Sequence, residues 1–394
     1  MDLERLLIEN YGRPPSAECQ SRVLEFIAQT DTLNDRNLHF IHKLTRVTQY
    51  ILQNSPQTVR EHADRIFGYN IEAIERISLT GEGIDPNLKK LKMYFRLKAG
   101  EVALFLFEQT HEVSLVSTAY NNFRDSAELG AKEEPKHAAH CYGLSAKAAK
   151  SLFYVKRNTD RELAVQWATT WFENEVLAAE SAPNIDNKFI AFAYVGAGNA
   201  AKECFRLTGS RAWAMQWHDS YTISGDLTVR VNPAHAGQAY ALASEAAMTI
   251  FQRNHDPFWT EKSYEDAKKS AEAFSRINPN RSSTSYGYAG DAAKLLFEKK
   301  HLVNWAKEWY HCRMKSAEIA AVVNQAQAVY SYRSAAIAAK AIFESTGIKE
   351  WAQKAIEANR LFLSKYDRNK SGDSQKTIRT VESELTYLQR SLRR

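Results

Sequence analysis

Five tryptophans, Trp167, Trp213, Trp259, Trp305 and Trp351, follow one another at an unbroken step of 46 residues. A fixed period of that size marks an array of supersecondary units, each of which buries its apolar face only by stacking on its neighbours. Tyr194, Tyr240, Tyr286 and Tyr332 keep the same step, with Ile378 in the place of a fifth tyrosine.

The segments that start at these tyrosines share one pattern: YVGAGNAAKECF, YALASEAAMTIF, YGYAGDAAKLLF and YRSAAIAAKAIF, with YGLSAKAAKSLF from Tyr142 as a further copy. An aromatic, small residues three and four later, alanine seven later and phenylalanine eleven later fall on one stripe of a 3.6-residue helix. The tyrosine is therefore expected to open a first helix. Small pairs such as Ala243 and Ser244, or Ala289 and Gly290, are expected to let a neighbouring helix cross closely. The tryptophan, eight residues past the phenylalanine, starts a second helix, and the loops RVNPAHA and RINPNRS, with Pro233 and Pro279, are expected to close it. Each unit then reads as an antiparallel pair of helices of roughly 20 residues, about 30 Å long. Phe153 stands 14 residues before Trp167, so about six extra residues are placed in the loop KRNTDREL, where insertions cost least. A worn copy precedes these, with Ala99, Gly100, Ala103, Phe107, Leu115 and Pro135 in register.

Only nine prolines and sixteen glycines interrupt 394 residues, which favours helices over turn-rich β architecture, and 44% hydrophobic with 25% charged residues excludes a largely disordered chain. Cys19, Cys141, Cys204 and Cys312 have no paired spacing, so they read as buried thiols in a reducing compartment. No stretch approaches the roughly 18 apolar residues of a membrane span, and the first residues are acidic where a secretory signal is basic. The expectation is a cytoplasmic protein without a cofactor.

Three parts are expected. Residues 1–85 carry 9 Lys/Arg against 13 Asp/Glu and contain four helix-like segments, a cap or an acidic module. Residues 86–377 hold the repeats and a basic excess. Residues 378–394, IRTVESELTYLQRSLRR with apolar Ile378, Val381, Leu385, Leu388 and Leu392, form a capping helix whose 3-4 spacing also suits oligomerisation through a coiled coil.

The first-helix pattern resembles the tetratricopeptide repeat (TPR), over roughly residues 90–378, although 46 exceeds that family's usual period of about 34. Helical adaptors of the SNAP type are similar to a comparable degree. The resemblance implies an all-α, right-handed superhelical α-solenoid of antiparallel helix pairs. It also implies a concave groove lined by residues at −2, +1, +2, +5 and +8 from the repeat tyrosine. Those columns contain His140, Lys147, Lys150, Phe192, Asn199, Lys202, Gln238, Glu245, Thr284, Tyr288, Asp291, Lys294, Tyr330, Arg333 and Lys340. The lysines point to an extended or helical protein segment bearing acidic residues or a free carboxylate, with Asn199, Tyr288 and Tyr330 supplying orientation. RNA is the alternative partner, its backbone tracked by lysine and its bases by tyrosine. An enzyme pocket between the repeats and residues 1–85 is a further alternative.

Other motifs have plainer readings. Gly196 and Gly198 follow no strand and read as helix packing rather than a phosphate loop. The run from Asp367 ends on Ile378 where a calcium loop needs glutamate, and so reads as a turn. His137 with Cys141, and His39 with His42, lack further ligands for a metal.

Overall fold

The computed structural model describes residues 63–78, 86–182, 186–366 and 372–393. Among them the chain is all-α, with fourteen helices in two compact units divided between Thr208 and Gly209. The first unit contains α1 (Ala63–Ser78), α2 (Pro86–Thr110), α3 (Val113–Gly130), α4 (Pro135–Lys156), α5 (Arg161–Glu180) and α6 (Asn187–Thr208). The second contains α7 (Arg211–Thr228), α8 (Pro233–Asn254), α9 (Pro257–Phe274), α10 (Pro279–Lys300), α11 (Val303–Val323), α12 (Gln325–Thr346), α13 (Lys349–Lys365) and α14 (Gly372–Arg393). Within each unit every helix packs on the next one in the chain, the arrangement of a helical-repeat stack. The first three helix-like segments of the N-terminus lie outside the described residues, as do residues 367–371 of the run from Asp367, whose remainder is the start of α14 rather than a turn; α1 falls in the fourth.

The repeat tyrosines do not open the first helices. Each of those helices begins seven residues earlier, at Pro135, Asn187, Pro233, Pro279 and Gln325. The prolines therefore start a helix rather than stop one. Pro233 and Pro279 occupy the first helical position, where a missing N–H costs nothing, and Asn232, Asn278 and Asn324 cap the ends by accepting from the N–H groups of His235, Arg281 and Gln327. Asn-Pro is a start signal here.

The repeat phenylalanine marks the other end of the first helix. Its carbonyl accepts the N–H of a residue four later in the left-handed region: His111 on Phe107, His255 on Phe251, His301 on Phe297 and Gly347 on Phe343, at 2.7–2.8 Å. One more residue then leads into the second helix. The inserted copy departs from this two-residue turn. Four residues separate α4 from α5, and Trp167 is the seventh residue of its helix where Trp213, Trp259, Trp305 and Trp351 are the third of theirs. The insertion is thus two turn residues plus one additional turn of helix.

The tryptophan period is the contact between successive second helices. Trp167 meets Tyr120 edge to face at 5.4 Å in the first unit. In the second, Trp259 meets His218 at 5.6 Å, Trp305 meets Tyr264 at 5.2 Å and Trp351 meets Tyr310 at 5.3 Å. The partner always comes from the preceding second helix, and such pairs add about 0.5–1.5 kcal/mol beyond their burial. A serine column reinforces the stack. Ser126, Ser270 and Ser316 donate to the carbonyls of Met93, Gly237 and Ser283 in the preceding first helix, while Ser270 and Ser316 also pair with Ser285 and Ser331 in the following one.

Small residues on the first helices receive side chains as well as backbone. A Cβ on Gly100 would fall 2.6 Å from the Phe123 ring, on Gly196 2.2 Å from the Glu175 carboxylate, and on Gly290 2.9 Å from Arg313. Those three side chains share one column, eight residues after the tryptophan position of their second helices. Cys141, Cys204 and Cys312 are buried thiols. At the C-terminus, Val381 and Leu388 of α14 are fully buried, Val381 with Tyr332 and Phe362, Leu388 with Trp351 and Ile356, so the fold itself consumes the centre of the apolar stripe that would seam a coiled coil.

Candidate partner-binding face

Because the apolar stripe of each first helix faces the second helices, the columns beside it turn outward. In the first unit His140, Lys147 and Lys150 are exposed on α4, and Phe192 and Asn199 on α6, with Lys202 half-buried. Lys147 bridges to Glu108 of α2 at 3.1 Å. The Lys150 ammonium lies 5.2 Å over the ring of Trp171, which keeps its stem on apolar surface and its charge in water.

In the second unit Tyr288 and Tyr330 are 59% and 60% exposed. Lys294 sits 3.6 Å from Glu298 and 5.7 Å over the Trp309 ring. Arg333 and Lys340 are brought together by an acid outside the expected groove columns. Arg333 makes a bidentate pair with Glu384 of α14, at 2.5 and 2.9 Å, and also bonds Asn359 at 3.0 Å. Lys340 approaches Glu384 at 3.9 Å and Glu344 at 3.8 Å, and lies over Tyr387. Burial would raise the Glu384 carboxyl, but the hydrogen bonds and charge of Arg333, with Lys340 behind it, hold it below the usual carboxylate range. Both cations fasten α14 to α12.

Second helices add chemistry to this face. Glu175 reaches over Gly196 toward α6, and the Trp171 indole N–H donates to it at 3.2 Å. Burial pushes its carboxyl up to about 7, against the opposing pull of Trp171 and Lys150. Arg313, 1% exposed, threads past Gly290 to pair with Asp291, and its guanidinium stacks 4.9 Å over the Tyr330 ring. The corresponding positions are Phe123, Tyr221, Ala267 and Asn359, so this column varies most in chemistry. It was readable in the 46-residue register, and sequence reasoning confined to the first helices passed over it.

The acidic residues fourteen before each repeat tyrosine were also passed over: Glu128, Glu180, Asp226, Glu272 and Glu318. Tyr240 donates to Asp226 at 2.6 Å, and Lys269 closes that cluster at 3.3 Å from the same carboxylate. This cluster ties α7, α8 and α9 together. The His137 ring nitrogen lies 2.8 Å from the Ser126 hydroxyl and 3.3 Å from the Cys141 sulfur, but burial pushes that thiol up to about 11, so at neutral pH it is not the thiolate a nucleophile requires. Among the described residues no group of three His, Cys, Asp or Glu is placed to hold a metal.

These observations define an all-α helical-repeat protein. No family model matches the chain, and no curated protein matches it. Solved structures similar to it include BtubC (BKLC) from P. vanneervenii, at 13% identity over 66% of this chain and 94% of that one, with a TM-score of 0.33. Others are a circular tandem repeat protein with novel repeat topology, at 11% over 99% and 97% with a TM-score of 0.34, and the TPR domain of P58(IPK), at 12% over 95% and 98% with a TM-score of 0.16. At this level of likeness the description of the fold rests on the chain's own helices.

Proposed function

We propose that the chain is a protein-binding scaffold whose TPR-like first-helix face takes an extended or helical segment bearing carboxylates. The observation that carries this reading is the exposure of Phe192, Tyr288 and Tyr330, 52% to 60%, on the outward side of the first helices. Aromatics held in water on first helices are costly unless a partner covers them. The charged contacts fall to His140, Lys147, Lys150 and Lys202 around Asn199 in the first unit, where Lys150 is held by an aromatic ring and not by an ion pair. In the second unit Tyr288, Lys294 and Tyr330 supply the face, and Arg333 and Lys340 keep its last helix in place.

An array of acidic peptides, each with a free C-terminal carboxylate, tests this on the full chain. Binding is expected to fall at least about tenfold when Lys147, Lys150 and Lys202 are changed to Glu, in line with the loss of two or three charge-assisted contacts. Equal retention by that variant refutes the charge assignment. Binding of RNA that collapses with added salt favours the alternative.

A further inference from the structure

At one end of the second unit, α7, α9 and α11 each run into the next first helix through a short turn, and these turns are unlike the rest of the surface. Val231 of the α7–α8 turn, Ile277 of the α9–α10 turn and Val323 at the end of α11 occupy one register position, 46 residues apart. They are 68%, 50% and 44% exposed, and Val229 and Val322 beside them are 39% and 88% exposed. Trp259 and Trp305 join these second helices side by side, so the five aliphatic side chains follow one another along one edge of the unit.

Cations stand closest to this row, and the acids Asp226, Glu272 and Glu318 lie one helical turn further from the helix ends. Arg230, Arg276 and Arg281 are exposed beside it, and no Asp or Glu occurs in residues 227–237, 273–284 or 319–331. Arg281 bonds the neutral Gln238 at 2.6 Å, and Arg230 and Arg276 have no carboxylate partner among the described residues. The corresponding turn between α3 and α4 reads Ala-Lys-Glu-Glu.

We infer that this edge docks the second unit peripherally on an anionic lipid surface. The valines and isoleucine enter the boundary between headgroups and acyl chains, and the arginines lie at the level of the phosphates. Two facts select lipid over a protein. The aliphatic groups project from helix ends, where an amphipathic partner helix finds no groove, and a bilayer asks only that the tips share one line. Arginine that makes no ion pair supplies the second of the two signals that stable peripheral attachment needs, the first being buried apolar area. No described helix is long and apolar enough to cross a membrane, so contact is confined to the interface.

Flotation of the full chain with phosphatidylcholine vesicles, with and without phosphatidylserine, tests the inference. The chain is expected to float with the anionic vesicles only. Changing Val231, Ile277 and Val322 together to Ser removes flotation, and changing Arg230 and Arg276 to Gln weakens it about fivefold per arginine, in a salt-sensitive way. All five side chains are exposed, so the variants keep native helicity by circular dichroism. Absence of flotation, equal flotation with neutral vesicles, or flotation untouched by both variants overturns the inference. So does concentration-dependent self-association that the triple Ser variant abolishes, since that assigns the edge to a second copy of the chain.

Discussion

Trp259→Ala is expected to cost the second unit about 3–5 kcal/mol, the range for removing a large buried aromatic from a packed core. Trp259 is 1% exposed and is held between the imidazole of His218 in the preceding second helix and the ring of Phe258 beside it. It belongs both to its own helix pair and to the contact with the pair before. In a linear array stability is a sum of units and nearest-neighbour interfaces, so loss of one interface lowers the whole stack and loosens its cooperativity. Urea unfolding followed by circular dichroism is expected to show a lower midpoint with a shallower or divided transition. The same change at Met215, which is 45% exposed on α7, is expected to move the midpoint little.

Asp266→Ala is expected to be comparably damaging, for an electrostatic reason. Asp266 is 2% exposed and accepts from His218 Nε2 at 2.7 Å, while Asp219 accepts from Nδ1 at 2.9 Å. Burial alone would lower the imidazole, but the two carboxylates outweigh it and push His218 up to about 9. A histidine whose folded value is raised contributes stability that is complete below its unfolded value, near 6.5, and is lost as the pH rises through the folded one. The second unit is therefore expected to lose about 3 kcal/mol between pH 6.5 and 9, an order-of-magnitude figure from the size of the shift. Removing Asp266 strands a buried imidazole and costs about 3–5 kcal/mol at neutral pH, as when one partner of a buried pair is deleted. It also flattens the pH profile across that window. Stability measured from pH 6 to 9.5 on both proteins reads the two effects together.

The tryptophan step was legible because its cause is strictly periodic. Trp167, Trp259, Trp305 and Trp351 each pack on the residue five past the preceding position of the tryptophan column, and both members are carried by the repeat. Helix boundaries were harder because proline serves both to end a helix and to begin one, and only the capping bonds of Asn232 and Asn278 distinguish the two uses. The insertion after Phe153 divided between turn and helix because an added turn at the start of α5 leaves the Trp167 register intact. Outward columns on the first helices were legible from the stripe they flank, and His140, Lys147, Lys150, Asn199, Tyr288 and Tyr330 are all exposed. Which cations the fold consumes was not. Arg333 and Lys340 answer to Glu384, 51 and 44 positions along the chain, a pairing that no local pattern encodes. Arg313 and Glu175 were hidden for the converse reason: ionisable side chains on buried second-helix positions look like errors of register until glycines on the first helices are seen to make room for them.

The central claim is that 46 residues, one first helix and one second helix, are the unit by which this chain is built. Excision of residues 303–348 tests it most directly. The deletion joins Leu302 to Lys349, removes α11 and α12, keeps a two-residue turn before α13, and brings Trp351 to the register of Trp305, opposite Tyr264. The shortened chain is expected to stay folded, with native helicity per residue and a cooperative unfolding transition, whereas excision of residues 305–348, two residues out of phase, is expected to lose cooperativity. Equal behaviour of the two shortened chains would contradict the repeat as the unit of folding.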